Sequence, residues 1–255
     1  MLFCIALNAQ ESVEEEVVEA YKNPIKIGLK GGLSLPSLSD NSDNIYTQDF
    51  KSYVSFETGL FAEYGFSDLL SLQVELNYTV KGGERTGSQP IPAAQLEGQL
   101  PPDIALPSGT VLYAEFNNKS ALEYIEIPIL AKFTFGEDWK FFGNIGPYAG
   151  FLVGATQKTS GTSNISADIP GVGFLPNLLP DEVSFNAETD VSDSIKNFNF
   201  GGIAGIGVIK TVSSHSEILF EVRGTYGFIP VQEDETFGES RIGSVVFSLG
   251  YAYKL

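Results

Sequence analysis

Hydrophobic and polar positions alternate with a period of two along most of the chain. From Leu70 to Lys81, one parity holds Leu70, Leu72, Val74, Leu76, Tyr78 and Val80. The other holds Ser71, Gln73, Glu75, Asn77, Thr79 and Lys81. The stretch LEYIEIPILAKFTF, residues 122–135, separates the same way. Ile125, Ile127, Ile129, Ala131, Phe133 and Phe135 oppose Tyr124, Glu126, Pro128, Leu130, Lys132 and Thr134. A helix would scatter Glu126 and Lys132 around its surface, and Pro128 would break it; a strand collects both charges on one side. Residues 217–228 and 244–255 repeat the pattern, and weaker versions run over 25–34, 53–66, 140–155 and 197–211. The pattern predicts eight strands.

The connections alternate in length. FSDLL, GEDWK and VSSHS follow the second, fourth and sixth strands, whereas 35–52, 87–120, 156–196 and 229–240 are long. Short turns at one end and long loops at the other describe an up-and-down antiparallel meander, and eight strands suffice to close it. The fold class expected is all-β: an eight-stranded antiparallel transmembrane β-barrel with long extracellular loops. The even strand count puts both termini at the short-turn end, which is the periplasmic side in this reading.

Alternation alone does not say which parity faces inward; charge does. The polar parities supply Lys26, Lys30, Glu57, Glu63, Glu75, Lys81, Glu126, Lys132, Glu221, Arg223 and Lys254. These are five acids and six bases, in a chain with 32 acids and 15 bases. A solvated face would share the acidic bias of the whole, whereas a confined lumen requires balance because unpaired buried charge is costly. The polar parities also carry small residues that leave room for long ones: Gly28, Gly32, Gly59, Gly146, Gly150, Gly205, Gly207 and Gly250. Tyr64, Phe66, Phe135, Phe141, Tyr251 and Tyr253 cluster near the short turns, as an interfacial girdle does. The apolar parity therefore faces lipid. A closed barrel satisfies its backbone between strands, so crossing the membrane needs no long apolar helix.

Three segments result: 1–9, the remnant of a signal peptide ending MLFCIALNA; 10–24, an acidic flexible periplasmic segment; and 25–255, the barrel. Cys4 lacks the small preceding residues of a lipidation site, and as the single cysteine it can form no internal disulfide. A net charge of −17 excludes nucleic acid as a partner.

KGGE at 81–84, LEYIEIPILAKF at 122–133 and GNIGPYAGFLVG at 143–154 resemble the outer-membrane β-barrel domain proteins of Bacteroidetes, of the porin-family or PorT-family type. The closing GYAYKL fits the C-terminal alternation read by outer-membrane assembly machinery, although Leu255 stands where an aromatic is usual. The resemblance implies a fold and a location, with no reaction attached.

Candidate chemistry is sparse. Glu126 and Lys132 lie roughly 20 Å apart along one strand, so each should pair across strands with Glu75, Lys81 or Arg223. A polar network filling the lumen is the leading reading, and a proton or ion pathway the other. Pro128 and Pro147 lack donors, which calls for a bulge or a harmless pairing. The loops are the place for partner contacts. Loop 87–120 is proline-rich, with TVLYAEF (110–116) as a strand rising above the membrane. Loop 156–196 contains IPGVGFLPNLLP, which either packs over the barrel mouth or forms an exposed patch. Acids outnumber bases six to two in 156–196 and four to none in 229–240, without the spacing of a calcium loop. His215, the single histidine, falls in a short turn and takes no role.

The chain therefore reads as a non-enzymatic surface or structural barrel with no catalytic, cofactor or metal residues. Its partners are outer-membrane lipid and a protein met through 87–120 and 156–196. A narrow channel or a transport- or secretion-associated subunit is the alternative. A lipid hydrolase or acyltransferase would need a histidine beside a serine at the outer rim, and His215 is at the other end.

Overall fold

The computed structural model describes residues 25–40, 45–46, 48–92, 96, 106–234 and 238–255. Segments 1–9 and 10–24, with Cys4, lie outside it, as does most of 93–105.

Eight long strands form: β1 Ile25–Asp40, β2 Ser55–Gly65, β3 Leu70–Ile91, β4 Val111–Phe135, β5 Trp139–Ser160, β6 Phe198–Ser213, β7 Ser216–Gly227 and β8 Ser240–Lys254. Each pairs antiparallel with its sequence neighbour, and β8 returns to β1, which closes the sheet. The register defines the cylinder. From Ile25 the paired positions run through Tyr64, Leu72, Ala131, Ile145, Ala204, Gly224 and Val245 and return to Leu35. One circuit therefore climbs ten residues of β1, a stagger that tilts the strands by about 40° and sets the backbone cylinder at roughly 16 Å across. Side chains from opposite walls meet in so narrow a lumen.

Strands β3, β4 and β5 run to 22, 25 and 22 residues, well past their predicted limits. A membrane strand needs only about 9–11 residues, so these three project beyond the bilayer band at the long-loop end. Residues 111–116 of TVLYAEF form the first stretch of β4 there.

The apolar parity faces outward around the ring: Leu29, Leu33, Leu60, Leu76, Ile129, Ile145, Ile206, Phe220 and Leu249 are all exposed. Aromatics close the band at the short-turn end, where Tyr64 meets Phe66 at 5.2 Å and Phe135 meets Phe141 at 6.1 Å. Trp139 lies beside them under the Lys210 ammonium, 4.9 Å from its ring. A second aromatic set, Phe151 with Phe198 and Phe200 with Phe228, closes the opposite end.

The prolines are accommodated without a local bulge. In an antiparallel ladder each residue sends its N–H and C=O to the same neighbouring strand. The β3–β4 ladder holds Val74 opposite Ile129 and resumes with Asn77 opposite Glu126, in unchanged register. Glu75 and Leu76 thus face Pro128 and Ile127 unpaired, and the missing N–H of Pro128 points to β3. One strand on, β4–β5 pairing runs to Pro128 opposite Tyr148 and resumes at Ala131 opposite Ile145, leaving a gap at Pro147. The β-bulge in that ladder falls elsewhere, at Glu123 and Tyr124.

Candidate functional site

Ten of the eleven charged residues expected in the lumen gather there. Arg223 on β7 is the hub. Its Nη1 and Nη2 donate to the two carboxylate oxygens of Glu75 at 2.8 and 2.9 Å, and Nη2 also donates to Glu221 at 2.6 Å. Glu57 stands 3.9 Å from the guanidinium. Lys30 donates to Glu75 at 2.5 Å and lies 3.7 Å from Glu221. Uncharged amides complete the carboxylates' shells: Gln73 and Asn77 donate to Glu75 at 2.6 and 2.8 Å, and Asn144 to Glu221 at 2.7 Å.

Glu126 and Lys132 pair across strands. Lys81 meets Glu126 at 2.5 Å, with its ammonium 4.6 Å from the Tyr148 ring. Lys132 takes Glu63, at 2.7 Å, in place of the partners named from sequence, and packs over Phe142. Lys26 bridges Glu217 at 2.7 Å and Glu63 at 3.7 Å.

Lys254 is the exception. It ends β8 opposite Lys26, and its side chain is exposed. Like charges directly opposite repel, and the carboxylates at that level already serve Lys26 and Lys132. Glu217 and Lys140 enter the network instead, joined at 3.1 Å. The signal for Glu217 was available, because it shares parity with Glu221 and Arg223. With this exchange the network holds six acids and six bases.

Apolar side chains layer the lumen. Phe61, Phe142, Ile209, Leu219 and Ala252 form one cluster, with Lys26, Glu63, Glu217 and Lys140 on its short-turn side. Leu122, Tyr124, Ala155, Val231 and Ile242 cover the lumen at the other end, backed by Leu38, Leu152, Val191 and Ile195. Val231 and Ile195 come from the long connections, which fold back over the mouth.

Above the mouth the extended strands build a second folded unit. Ser166–Ile169 pairs with Val111–Tyr113 of β4, and Gly173–Leu175 pairs with Ser166–Ile169 to end the sheet. A core of Ile91, Leu96, Leu112, Ala114, Phe116, Ile165, Ala167, Leu179 and Val183 lies beneath, with Phe185 stacked on Phe116 at 4.6 Å. IPGVGFLPNLLP is divided between its two expected fates. Leu178 and Leu179 join this core, whereas Val172, Phe174 and Leu175 remain 76%, 66% and 42% exposed at the hairpin tip. Periodicity could not show this unit, because its core joins loops far apart in sequence.

His215 occupies the β6–β7 turn, its Nδ1 2.8 Å from the Ser214 hydroxyl and its ring stacked on Tyr253. Among the described residues no three of His, Cys, Asp and Glu converge on one point.

A closed antiparallel ring with an apolar outer band and a charged core is the architecture of a membrane barrel. The profile of the family described as outer membrane protein beta-barrel domain matches residues 8–233. The chain belongs to this family. Solved structures similar to this outer-membrane barrel include Ail, the attachment invasion locus protein of Yersinia pestis, at 11% identity and TM-score 0.39, covering 90% of this chain and 98% of that one. Neisserial surface protein A is similar at 14% identity and TM-score 0.38, covering 90% and 97%. OprG from Pseudomonas aeruginosa is similar at 11% identity and TM-score 0.41, covering 91% and 97%. No sequence among the curated proteins matches it.

Proposed function

We propose that this outer-membrane barrel is a non-enzymatic surface protein of the Bacteroidetes porin-family type. Its lumen is plugged, its termini are periplasmic, and the unit built on β3–β5 stands outside the cell to meet a partner. The observation that carries this reading is the contrast within one hairpin. Ala167 is fully buried and fixes the hairpin to its core, while Val172 and Phe174 point to solvent. Large apolar side chains held out on a rigid, folded support mark a contact surface. The plug of paired charges and apolar layers supports a scaffold role for the barrel in preference to a channel.

The test is photo-cross-linking on intact cells from position 174, compared with position 158 on the same unit, where Lys158 is exposed. A protein adduct specific to position 174, lost in Val172→Asp, supports the reading. Adducts identical at both positions, or none, retire it. Planar-bilayer recording addresses the channel alternative separately, since steps with a defined open state would favour it.

A further inference from the structure

Among the described residues the large sheet ends on two short strands, each paired on one side only. Ala187–Asp190 lies beside β5, and Gly173–Leu175 lies beside Ser166–Ile169. A free edge offers unpaired N–H and C=O groups to any extended chain, and natural sheets guard such edges with charge. The two edges differ in that respect. Ala187–Asp190 carries Glu188 and Asp190, with Glu188 held 3.5 Å from Lys158. Gly173–Leu175 carries no charge, and none occurs between Asp168 and Asp181. Every residue from 170 to 177 is exposed.

The unguarded edge is also preformed. Val172 N–H donates to the Ile169 carbonyl at 3.0 Å, and Gly171 and Gly173 hold φ at +79° and +97°, values that glycine adopts without strain. Pro170 and Pro176 bracket the stretch and confine an added strand to Val172–Leu175.

The rows of the sheet set what an added strand must carry. Leu112, Ala167 and Leu175 stand in one row, with Leu112 and Ala167 in the core. An apolar side chain beside Leu175 extends that row and covers a residue otherwise 42% exposed. On the other face Val111, Asp168 and Phe174 form the next row. A cation there lies over the Phe174 ring, with the Asp168 carboxylate behind it. The charge of the loop agrees: 156–196 carries six acids, and its two bases, Lys158 and Lys196, stand at its ends. A second copy of this chain, or an anionic lipid surface, would set like charge against like. An extended basic segment meets opposite charge.

We propose that Val172–Leu175 takes an added β-strand from another protein, an extended segment that alternates apolar side chains beside Leu175 with Arg or Lys beside Phe174. The proposal rests on the reading of the hairpin tip as a contact surface and specifies how the contact is made. Main-chain hydrogen bonds supply the affinity, and the two side-chain rows supply the choice of partner.

Acetylated octapeptides alternating valine and arginine, titrated into the full chain in phosphatidylcholine nanodiscs with empty nanodiscs as the blank, test this. Alternate amides of an added strand face the edge, so two N-methylated forms are compared, one modified at every valine and one at every arginine. One form should lose affinity at least tenfold while the other stays within threefold of the unmodified peptide. Saturation should slow amide exchange at positions 173–175, read by NMR. Leu175→Lys, which places a charge on the open edge, should weaken the unmodified peptide at least tenfold, whereas Glu188→Ala on the guarded edge should leave it unchanged. No binding, equal binding by the two N-methylated forms, or unchanged exchange at 173–175 overturns strand addition. A cross-link from position 174 that persists beside any of these results leaves the contact surface standing, so the two readings fail separately.

Discussion

Arg223 and Glu75 face each other across the lumen from β7 to β3, joined by two hydrogen bonds of 2.8 and 2.9 Å between side chains almost wholly buried. They are 148 residues apart in sequence, so the pair ties the two halves of the meander together. Arg223→Met should destabilise the barrel by about 3–5 kcal/mol, because Glu221 and Glu57 lose the charge that compensates them. Glu75→Gln should cost a similar amount, since it removes the two-pronged partner of Arg223 and the short contact of Lys30, leaving both to share Glu221. Equilibrium urea unfolding in lipid vesicles measures both. In a double-mutant cycle the combined loss should fall short of the sum by at least about 1 kcal/mol; strict additivity would show that the pair does not act as a unit.

The outward parity can be checked by charge. Leu60 is 61% exposed at the middle of β2, and in a soluble protein Leu60→Arg would be nearly neutral. Facing acyl chains, the same change should cost about 2–4 kcal/mol. Val172→Arg, on the hairpin tip and 76% exposed, should change stability by less than about 0.5 kcal/mol. Equal effects at the two sites would contradict the assignment of Leu60 to lipid.

The unit above the barrel has its own core, so it should loosen by itself. Leu112→Ala removes a fully buried side chain and should cost about 2–5 kcal/mol locally. Limited proteolysis should then cut within 156–196, while the membrane-embedded strands stay protected. Loss of the whole barrel in this variant would show that the two parts fold as one.

Most of the barrel was legible in the sequence because side chains alternate with a period that only a strand produces. Which parity faces in was legible because a closed lumen enforces charge balance on residues scattered over the whole chain. Lys254 shows the limit of parity. It has the correct phase, but it sits at the rim opposite Lys26 with its side chain exposed. Lys140 and Glu217 show the converse: both fall inside the strands read from sequence, at their first positions, and pair with each other and with Lys26 at the end of the lumen. The contact of Phe116 with Phe185 had no local signal at all, since stacking between a strand extension and a loop about 70 residues on leaves no period in either.

Pro147 gives the most direct test of the backbone. Its ring is exposed on the lipid side, so little packing depends on it, and its missing N–H faces the gap opposite Ile129. Pro147→Ala restores a donor where β4 offers a carbonyl. The new hydrogen bond is worth about 0.5–1.5 kcal/mol net, and the greater freedom of the unfolded chain takes back about 0.4–1 kcal/mol. Stability should therefore change by less than about 1 kcal/mol by the same two estimates. The structural readout is sharper than the energy. Hydrogen exchange should reveal a new protected amide at position 147, as slow as those of its paired neighbours. A fast-exchanging amide there would mean that β4 and β5 stay apart for a reason other than the proline.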